Sequence, residues 1–370
     1  MCGESTVMVS QGKVYLRGLY GFRFLAAFSV FYAHLEQAKG WAGIPNWMFH
    51  MGTRVAADGV TCFFVLSGFL ITYLLLCEEG ETLIIHLPSF YLRRMLRIWP
   101  LYYSWVLLVF FVFPFIPFMK FPVLGTVLDG YFLHRFLLFL FLSPQIAISL
   151  YSHPPFGGPL WSVGVEEYFY LIWPLLLKNI PRPRLLLGLV GFVLVMPVVR
   201  YFILKFSIQW VGSIFSLCRF DCMAIGALFA WIRMYKNEWL QCLFQRRWIP
   251  WAVWFWALVH FVVGVRYGIF TDTVYSLVFS LLIVIVAFHP FPLFSLESAF
   301  LTFMGKISYG FYVFHWAVNV CVIQFFLRFV HVQNNFIFNL LLFVICFGMT
   351  AALSAVSFFG FERKFLSSAR

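Results

Sequence analysis

Long apolar runs separated by short polar segments make up most of this chain. Runs of about 17 to 25 mainly apolar residues predict membrane-crossing helices. Ten such runs occur, at residues 15–35, 57–77, 97–118, 160–178, 184–204, 217–234, 248–266, 273–290, 306–329 and 336–359. A further apolar stretch, Tyr131 to Ile148, is long enough to be an eleventh. The pattern therefore predicts an all-α fold, a polytopic integral membrane helical bundle.

The basic residues between these runs indicate how the chain is threaded. Cytoplasmic loops carry an excess of lysine and arginine, and basic segments occur at residues 93–97, 178–184, 233–247, 306 and 363–364. If Tyr131 to Ile148 crossed fully, the basic loop 178–184 would lie outside, against this rule. We therefore expect this stretch to be a re-entrant or interfacial segment sheltered by protein. About ten transmembrane helices and two cytoplasmic termini follow.

One membrane domain is expected to account for nearly the whole chain. The predicted boundaries are a cytoplasmic N-terminal segment at 1–14, the transmembrane domain at 15–360 and a cytoplasmic tail at 361–370. The first apolar run contains Arg23 and has no convincing small-residue cleavage site, so we expect it to be retained as a helix.

Composition excludes several other classes of protein. With 63% hydrophobic and 11% charged residues, the chain is far from the balance of a soluble domain. The net charge of +12 lies in short groups between apolar runs, which indicates topology rather than nucleic-acid binding. The eight cysteines include no CxxC pair, so neither a disulfide framework nor a metal site is expected.

Arg23 and His34 are the most informative polar residues, because both lie in the first apolar run. Eleven residues make about three helical turns, so both side chains leave one face of the helix, about 16 Å apart along its axis. Ionisable groups within a membrane usually mark a functional site, and we expect the two to line one cavity from two depths. In the alternative interpretation, Arg23 extends to the cytoplasmic headgroups and His34 lies at the opposite interface.

Three acidic residues lie in or beside apolar runs without a simple loop role. Glu166 and Glu167 are near the outer start of a predicted helix, where the helix dipole favours negative charge. Neighbouring helical residues point about 100° apart, so only one of the two can face a cavity squarely. Asp221 follows Arg219 by two residues, and a local ion pair explains both about as well as a site does.

Arg94 and Arg97 are three residues apart and share a helix face. Arginine forks suit a phosphate clamp, but anchoring by the positive-inside rule explains most such clusters, and both interpretations remain open. His315, about two turns into an apolar helix, is expected to be a hydrogen-bonded structural residue. Ser67 is expected to serve helix packing by small residues.

Five motifs follow one another in a fixed order. They are Gly21-Phe22-Arg23 with His34, Gly59 to Ile71, Arg94 to Arg97 before Pro100, Trp161 to Tyr170, and Ile307-Ser308-Tyr309 to His315. With them the chain resembles, from about residue 15 to Glu362, the acyltransferase family 3 proteins, bacterial membrane O-acyltransferases. The resemblance implies an enzyme of the bacterial inner membrane that moves an acetyl or other acyl group from acyl-CoA to a hydroxyl of a glycan or related acceptor.

The resemblance also implies roles for individual residues. The family's Arg-x10-His signature matches Arg23 and His34, its RxxR signature matches Arg94 and Arg97, and its acidic position matches Glu166. His34 is the expected base, because a neutral imidazole can accept a proton at physiological pH. Arg23 stays protonated and suits orientation, oxyanion stabilisation or a grip on the donor.

Glu166 is expected either to orient the imidazole or to offset the buried arginine charge. Arg94 and Arg97 would bind the phosphates of acyl-CoA, a donor substrate rather than a permanently bound cofactor. Direct transfer by His34 and a covalent acyl-enzyme on His34 or Ser67 both remain open.

Two rival functions remain open as well. A transporter or flippase would also carry buried Arg, His and Glu, and a glycosyltransferase that uses lipid-linked sugars would need an acidic base, for which Asp58 is a candidate. The sequence shows no soluble SGNH domain of the kind that two-domain relatives carry, so we expect the chain to act alone or with a separate partner. Its other partners are membrane lipids and a hydroxyl-bearing acceptor.

Overall fold

The computed structural model describes residues 8–10, 13–45, 49–119, 126–151, 153–206, 208–246, 248–289, 294–330 and 336–368. Within these ranges the chain is almost entirely helical. The α-helices are α1 Leu19–Trp41, α2 Phe49–Thr82, α3 Leu87–Phe111, α4 Phe132–Leu140, α5 Pro144–Tyr151, α6 Leu160–Asn179, α7 Arg182–Phe206, α8 Gln209–Leu217, α9 Phe220–Tyr235, α10 Asn237–Gln245, α11 Trp248–Val263, α12 Thr271–Phe288, α13 Ala299–Lys306, α14 Ser308–Phe329, α15 Phe336–Ser357 and α16 Arg363–Ser368.

Short elements of other types complete the fold. Two strands, β1 (Met8–Ser10) and β2 (Lys13–Tyr15), pair antiparallel ahead of α1, with Met8 opposite Tyr15. Three-residue 3₁₀-helices occur at Phe113–Phe115, Pro117–Met119 and Gly268–Phe270. A π-helix at Phe358–Glu362 joins α15 to α16. The hairpin is too small to alter the all-α class that the sequence predicted.

Seven helical segments in the described ranges are long and apolar enough to cross a membrane. They are Arg54–Thr82, Leu87–Phe115, Arg182–Phe206, Gln209–Tyr235, Gly268–Phe288, Ser308–Phe329 and Phe336–Ser367. The prediction of a multi-pass helical membrane bundle is therefore confirmed. All ten predicted spans contain a helix, but the count of ten crossings is not confirmed. The seven segments do not include α1, α6 and α11. Both α1 and α6 carry acidic and basic side chains, and α11 has only 16 residues.

The apolar stretch from Tyr131 to Ile148 does not form one helix. α4 ends at Leu140, Leu142 has a φ of 57°, and α5 begins at Pro144. A left-handed residue followed by a proline two positions later interrupts a helix, because neither conformation continues the hydrogen-bond ladder. The resulting helices have nine and eight residues, too few to cross a bilayer singly. The re-entrant or interfacial placement of this stretch stays a prediction.

Glycines allow α2 and α9 to pack backbone against backbone. A Cβ atom on Gly68 would lie 2.0 Å from the carbonyl oxygen of Met223, and one on Gly226 would lie 2.1 Å from that of Val65. Small residues at such contacts are typical of helix pairs in membranes. With Gly68 held against α9, the adjacent Ser67 is directed toward α6, where it forms a hydrogen bond described below.

Phenylalanine rings fix the position of α1 against α14. The ring centroids of Phe31 and Phe311 are 5.3 Å apart, and Phe347 from α15 lies 5.9 Å from Phe31 and 5.7 Å from Phe311. Side chains three or four residues apart share a helix face. His34 and His315, one turn beyond Phe31 and Phe311 respectively, are thereby placed next to each other.

Reporter fusions test the predicted threading of the chain. We expect a reporter fused after Lys178 to report a cytoplasmic location, because the basic loop 178–184 follows the positive-inside rule. A fusion after Arg233, in the next basic segment, is the matched control and should report the same side. An external signal at Lys178 would contradict both the ten-crossing topology and the non-crossing of 131–148.

Candidate active site

A cavity inside the bundle brings together four residues that the sequence singled out. Arg23 from α1, Arg94 and Arg97 from α3 and Glu166 from α6 all line it. Its volume is about 70 Å³, and its wall also includes Ser67, Tyr170 and Tyr312. We refer to this space as the arginine cavity. The convergence of residues from three different helices was not visible in the sequence.

Local helix geometry directs the arginines into this cavity. α1 begins directly after Gly18, whose φ of 65° suits glycine and turns the chain into the helix. Arg23 therefore lies just over one turn into α1. On α3, Arg94 and Arg97 are one turn apart and project from the same face.

Glu166 is held by two hydroxyl groups. Its Oε1 accepts a hydrogen bond from Ser67 Oγ at 3.0 Å, and its Oε2 accepts one from Tyr170 OH at 2.7 Å. Tyr170 OH also lies 3.2 Å from Ser67 Oγ. Both carboxylate oxygens therefore act as acceptors, which is the arrangement expected of an ionised carboxylate. Glu166 is not in hydrogen-bond contact with the His34 imidazole, so the structure favours its second expected role, offsetting the arginine charge.

The three arginines of the cavity have no carboxylate partner. Within the described residues, Arg23, Arg94 and Arg97 form neither an ion pair nor a hydrogen bond. Arg94 instead lies over two aromatic rings, 5.6 Å from the centroid of Phe90 and 5.5 Å from that of Tyr170. Three guanidinium groups face one carboxylate, so the cavity has an excess of positive charge. Such a site in a bundle of low polarity favours an anionic ligand.

A larger space adjoins the arginine cavity, and we call it the vestibule. It has a volume of about 1060 Å³, and Arg97 and Tyr309 line both spaces. Its wall also carries the cations of Lys306 and Arg363 and the carboxylates of Glu297 and Glu362. This volume is at the upper end of the range for ligand pockets, so the vestibule is large enough for an extended ligand whose charged groups reach Arg97.

Tyr15 closes part of the vestibule wall. Burial and the nearby Glu297 carboxylate raise the pKa of the Tyr15 hydroxyl. The hydroxyl therefore stays protonated and donates to Glu297 Oε1 at 3.3 Å.

In the described ranges, no three His, Cys, Asp or Glu side chains are placed to bind a metal ion.

His34 lies elsewhere on α1 and does not line the arginine cavity. Its Nδ1 is 2.7 Å from Nε2 of His315, and the two ring planes are within 12° of parallel, with centroids 5.0 Å apart. We refer to these residues as the histidine pair. Nδ1 of His315 is 2.6 Å from the carbonyl oxygen of Tyr312. Arg23 therefore lines the arginine cavity without His34, and the single cavity shared by both residues that the eleven-residue spacing suggested stays a prediction.

Tyr312 connects the two groups of residues. Its side chain lines the arginine cavity and its hydroxyl is 2.7 Å from Ser162 Oγ, while its backbone oxygen contacts His315. Tyr312 thus contributes its side chain to the arginine cavity and its backbone oxygen to the hydrogen bonds of the histidine pair.

The remaining acidic candidates take part in other contacts. Glu167 points away from the cavity and accepts a hydrogen bond from Trp99 Nε1 at 3.1 Å, as the 100° offset from Glu166 predicted. Asp221 pairs with Arg200, not with its neighbour Arg219, so the predicted local ion pair is wrong. The tertiary structure explains this pairing, because α7, which carries Arg200, packs against α9, which carries Asp221.

Arg219 and Asp58 also have partners from distant parts of the chain. Arg219 pairs with Asp272 of α12 at 3.3 Å, and its Nη1 also donates to Thr61 Oγ1 at 2.8 Å and to the carbonyl oxygen of Ala57 at 3.5 Å. Asp58 is 4% exposed and pairs with Arg266 at 2.7 Å. An aspartate held in this way is not a free base, which argues against the glycosyltransferase interpretation.

Several site residues could not be assigned, or were assigned other roles, from the sequence. Ser67 was expected to serve helix packing, with an acyl-enzyme role left open, and it contacts Glu166. His315 was expected to have a structural role, and it contacts His34. Tyr170 and Tyr312 were not considered. One signal for Tyr170 was available, because it lies four residues after Glu166 on one helix face. No local signal pairs His34 with His315, since 281 residues separate them.

Comparison with known proteins gives a consistent picture. A family model described as "Acyltransferase domain" matches residues 16–358. The peptidoglycan O-acetyltransferase OatA of Listeria monocytogenes is 32% identical over 184 residues, 48% of this chain and 27% of that protein. The acyltransferase MdmB of Streptomyces mycarofaciens is 31% identical over 180 residues, 46% of this chain and 42% of that protein. The O-acetyltransferase OatA of Staphylococcus aureus strain NCTC 8325 is 27% identical over 340 residues, 85% of this chain and 52% of that protein.

The chain thus spans between about a quarter and about half of the length of these curated relatives. No solved structure matches it.

Proposed function

We propose that this chain is a membrane O-acyltransferase. The premise is that the chain belongs to the acyltransferase family whose model matches residues 16–358. The donor is acyl-CoA, and the acceptor is a hydroxyl of a glycan or related molecule. The observation that carries the proposal is the arginine cavity, where Arg23, Arg94 and Arg97 converge and form no ion pair with a carboxylate of the described residues. The names of the Listeria and Staphylococcus relatives support an acetyl group, and the former supports a glycan acceptor.

The charge and size of the two spaces support acyl-CoA as the donor. Its phosphates are anions of the kind that arginine forks bind well. Its nucleotide needs more room than the arginine cavity offers, and the vestibule supplies that room beside Arg97. By the positive-inside rule, the basic residues at 93–97 and 363–364 support a cytoplasmic location for this end of the bundle. Acyl-CoA is made in the cytoplasm. The proposed location is the inner membrane of a bacterium, with both termini in the cytoplasm.

His34 is the proposed base for the transfer. It lies about 16 Å from Arg23 along the α1 axis, so a donor gripped by the arginines must extend its acyl-bearing arm past Tyr312. The acceptor hydroxyl gives its proton to His34, its oxygen attacks the thioester carbonyl carbon, and an ester bond forms. The C–S bond breaks, and CoA leaves as a thiol after taking the proton. Arg23 orients the donor, and Glu166 balances part of the arginine charge.

The decisive test is an assay of the protein purified in lipid nanodiscs. With acetyl-CoA labelled in the acetyl group and soluble peptidoglycan glycan fragments as acceptor, we expect release of the CoA thiol. We also expect label in an ester on the glycan that mild base removes. Movement of glycan across a liposome membrane without thioester cleavage would support a transporter and would contradict the proposal.

The arginines of α3 provide a more specific prediction. The double substitution Arg94→Lys with Arg97→Lys keeps both charges but removes the planar forks. We expect the acetyl-CoA concentration for half-maximal rate to rise about tenfold, corresponding to about 1.4 kcal/mol. Membrane abundance and orientation should not change, because lysine satisfies the positive-inside rule equally well.

Arg93→Lys is the matched control for this experiment. Arg93 precedes Arg94 on the same helix but is exposed and lies 3.8 Å from Glu78 instead of lining the cavity. This single variant should keep the wild-type dependence on acetyl-CoA. An unchanged dependence in the double lysine variant would assign Arg94 and Arg97 to membrane anchoring only.

A further inference from the structure

His315 is completely buried, and its hydrogen bonds determine where its proton lies. Its Nδ1 is 2.6 Å from the carbonyl oxygen of Tyr312. A carbonyl oxygen can only accept a hydrogen bond, so Nδ1 of His315 must carry a hydrogen. No carboxylate among the described residues contacts either ring of the histidine pair, and an uncompensated buried charge is costly. Both imidazoles are therefore neutral at rest.

The proton of His315 fixes the proton of His34. A neutral imidazole has one N–H, so Nε2 of His315 is an acceptor. Nδ1 of His34 lies 2.7 Å from that nitrogen and must be the donor. It follows that Nε2 of His34 has no hydrogen and carries a free lone pair. This assignment comes from the hydrogen-bond network, which is the ordinary way to assign histidine tautomers.

We propose that His315 is a positioning residue that holds His34 in the tautomer whose Nε2 accepts the proton of the acceptor hydroxyl. The proposal rests on the acyltransferase function proposed above and adds which residue orients the base. A series of hydrogen bonds runs from the Tyr312 carbonyl through His315 to His34. The backbone carbonyl therefore orients the His315 ring, and the His315 ring orients the His34 ring. A base oriented by a third group is a general arrangement in catalysis.

The reaction balances in protons through this arrangement. His34 Nε2 takes the proton of the acceptor hydroxyl as the ester bond forms, and the resulting imidazolium keeps its Nδ1 hydrogen bond to His315. His34 then returns the proton to the sulfur of the departing CoA as the C–S bond breaks. His315 gains and loses no proton in this cycle.

His153, in the turn before α6, is a further titratable group with an electrostatic influence on His34.

Two substitutions at position 315 test the proposal in the nanodisc assay with acetyl-CoA and peptidoglycan glycan fragments. His315→Phe keeps an aromatic ring but removes the acceptor, and we expect kcat to fall about 100-fold, as for loss of a correctly oriented base. The KM for acetyl-CoA should stay within about twofold, because the arginine cavity is untouched. His315→Gln offers a carboxamide oxygen as acceptor and should recover at least about tenfold of the lost rate.

A buried histidine elsewhere is the control, and His289→Phe serves because His289 contacts Phe244 rather than the histidine pair. This variant should keep the wild-type kcat. A His315→Phe variant within about threefold of the wild-type kcat would overturn the proposal. So would a His315→Gln variant that is no faster than His315→Phe at equal abundance.

A spectroscopic measurement on the unmodified protein does not depend on the folding of variants. Nitrogen-15 NMR of the histidine-labelled protein distinguishes N–H from lone-pair nitrogens, and the His34 signals are assigned by their loss in His34→Gln. We expect the hydrogen of His34 on Nδ1. A hydrogen on Nε2 of His34 would overturn the proposal. Failure of the wild-type protein to cleave acetyl-CoA would instead contradict the acyltransferase proposal and leave this NMR result to decide on the histidine pair.

Discussion

Replacement of His34 by glutamine is expected to lower acyl transfer from acetyl-CoA by about 10³-fold, within the range for general acid–base catalysis. His315, the imidazole in contact with His34, uses both ring nitrogens in hydrogen bonds and so cannot replace it as the base. Glutamine can still donate to His315 from its amide nitrogen, so the packing of α1 against α14 should persist. The measurement is the rate of acetyl-ester formation at equal membrane abundance, with His34→Ala as a second variant that should be equally inactive.

His86→Gln is the matched control for this experiment. His86 is exposed and precedes α3 in a loop, away from both the arginine cavity and the histidine pair. It should retain the wild-type rate. If His34→Gln transfers acetyl groups normally at wild-type abundance, His34 is not the base and the role of His315 has no basis.

Replacement of Arg23 by lysine is the second large expected effect. We expect kcat/KM for acetyl-CoA to fall about 100-fold, or about 2.7 kcal/mol, although the charge is kept. Arg23 reaches the cavity from α1, and a lysine there would offer a point charge instead of a planar guanidinium fork. Charge-assisted hydrogen bonds in such a setting are stronger than neutral ones, so their loss should weaken the hold on the donor. Initial rates over a range of acetyl-CoA concentrations measure the change.

Arg17→Lys provides the comparison. Arg17 precedes α1, is 42% exposed and lies 3.9 Å from Glu297, so its replacement should leave kcat/KM unchanged. Full activity of Arg23→Lys would show that Arg23 contributes charge alone. In that event the fork geometry of the arginine cavity would have no part in donor recognition.

These two experiments address separate parts of one pathway. Arg23 belongs to the end of the bundle that meets the donor, and His34 belongs to the histidine pair beyond Tyr312. A donor-binding defect should therefore appear mainly in the acetyl-CoA dependence, and a base defect in kcat. If both substitutions changed the same kinetic constant in the same proportion, the separate roles of the arginine cavity in donor binding and of the histidine pair in proton transfer would be refuted.

The order of apolar runs was sufficient to predict most of the fold. Every predicted span contains a helix, because burial in a membrane needs about twenty apolar residues in one run, a property of the local sequence. The charge of the loop 178–184 predicted that residues 131–148 do not cross the membrane, and the helix break at Leu142 was found only in the structure. The number of crossings was less predictable, because α1 and α6 carry charged side chains whose burial depends on neighbouring helices.

The candidate site was predictable only in part, and the division has a physical cause. By itself the sequence determined which side chains are costly to place in a membrane, namely Arg23, His34, Glu166 and the α3 arginines, since that cost belongs to each residue. Only the tertiary structure decided which of them meet. It joined Arg23 to Glu166 and the arginines of α3, and it joined His34 to His315, because contacts between helices depend on packing surfaces such as Gly68 against Met223 and Phe31 against Phe311. Helical periodicity fixes the face on which a side chain lies, but it carries no information about the helix that covers that face.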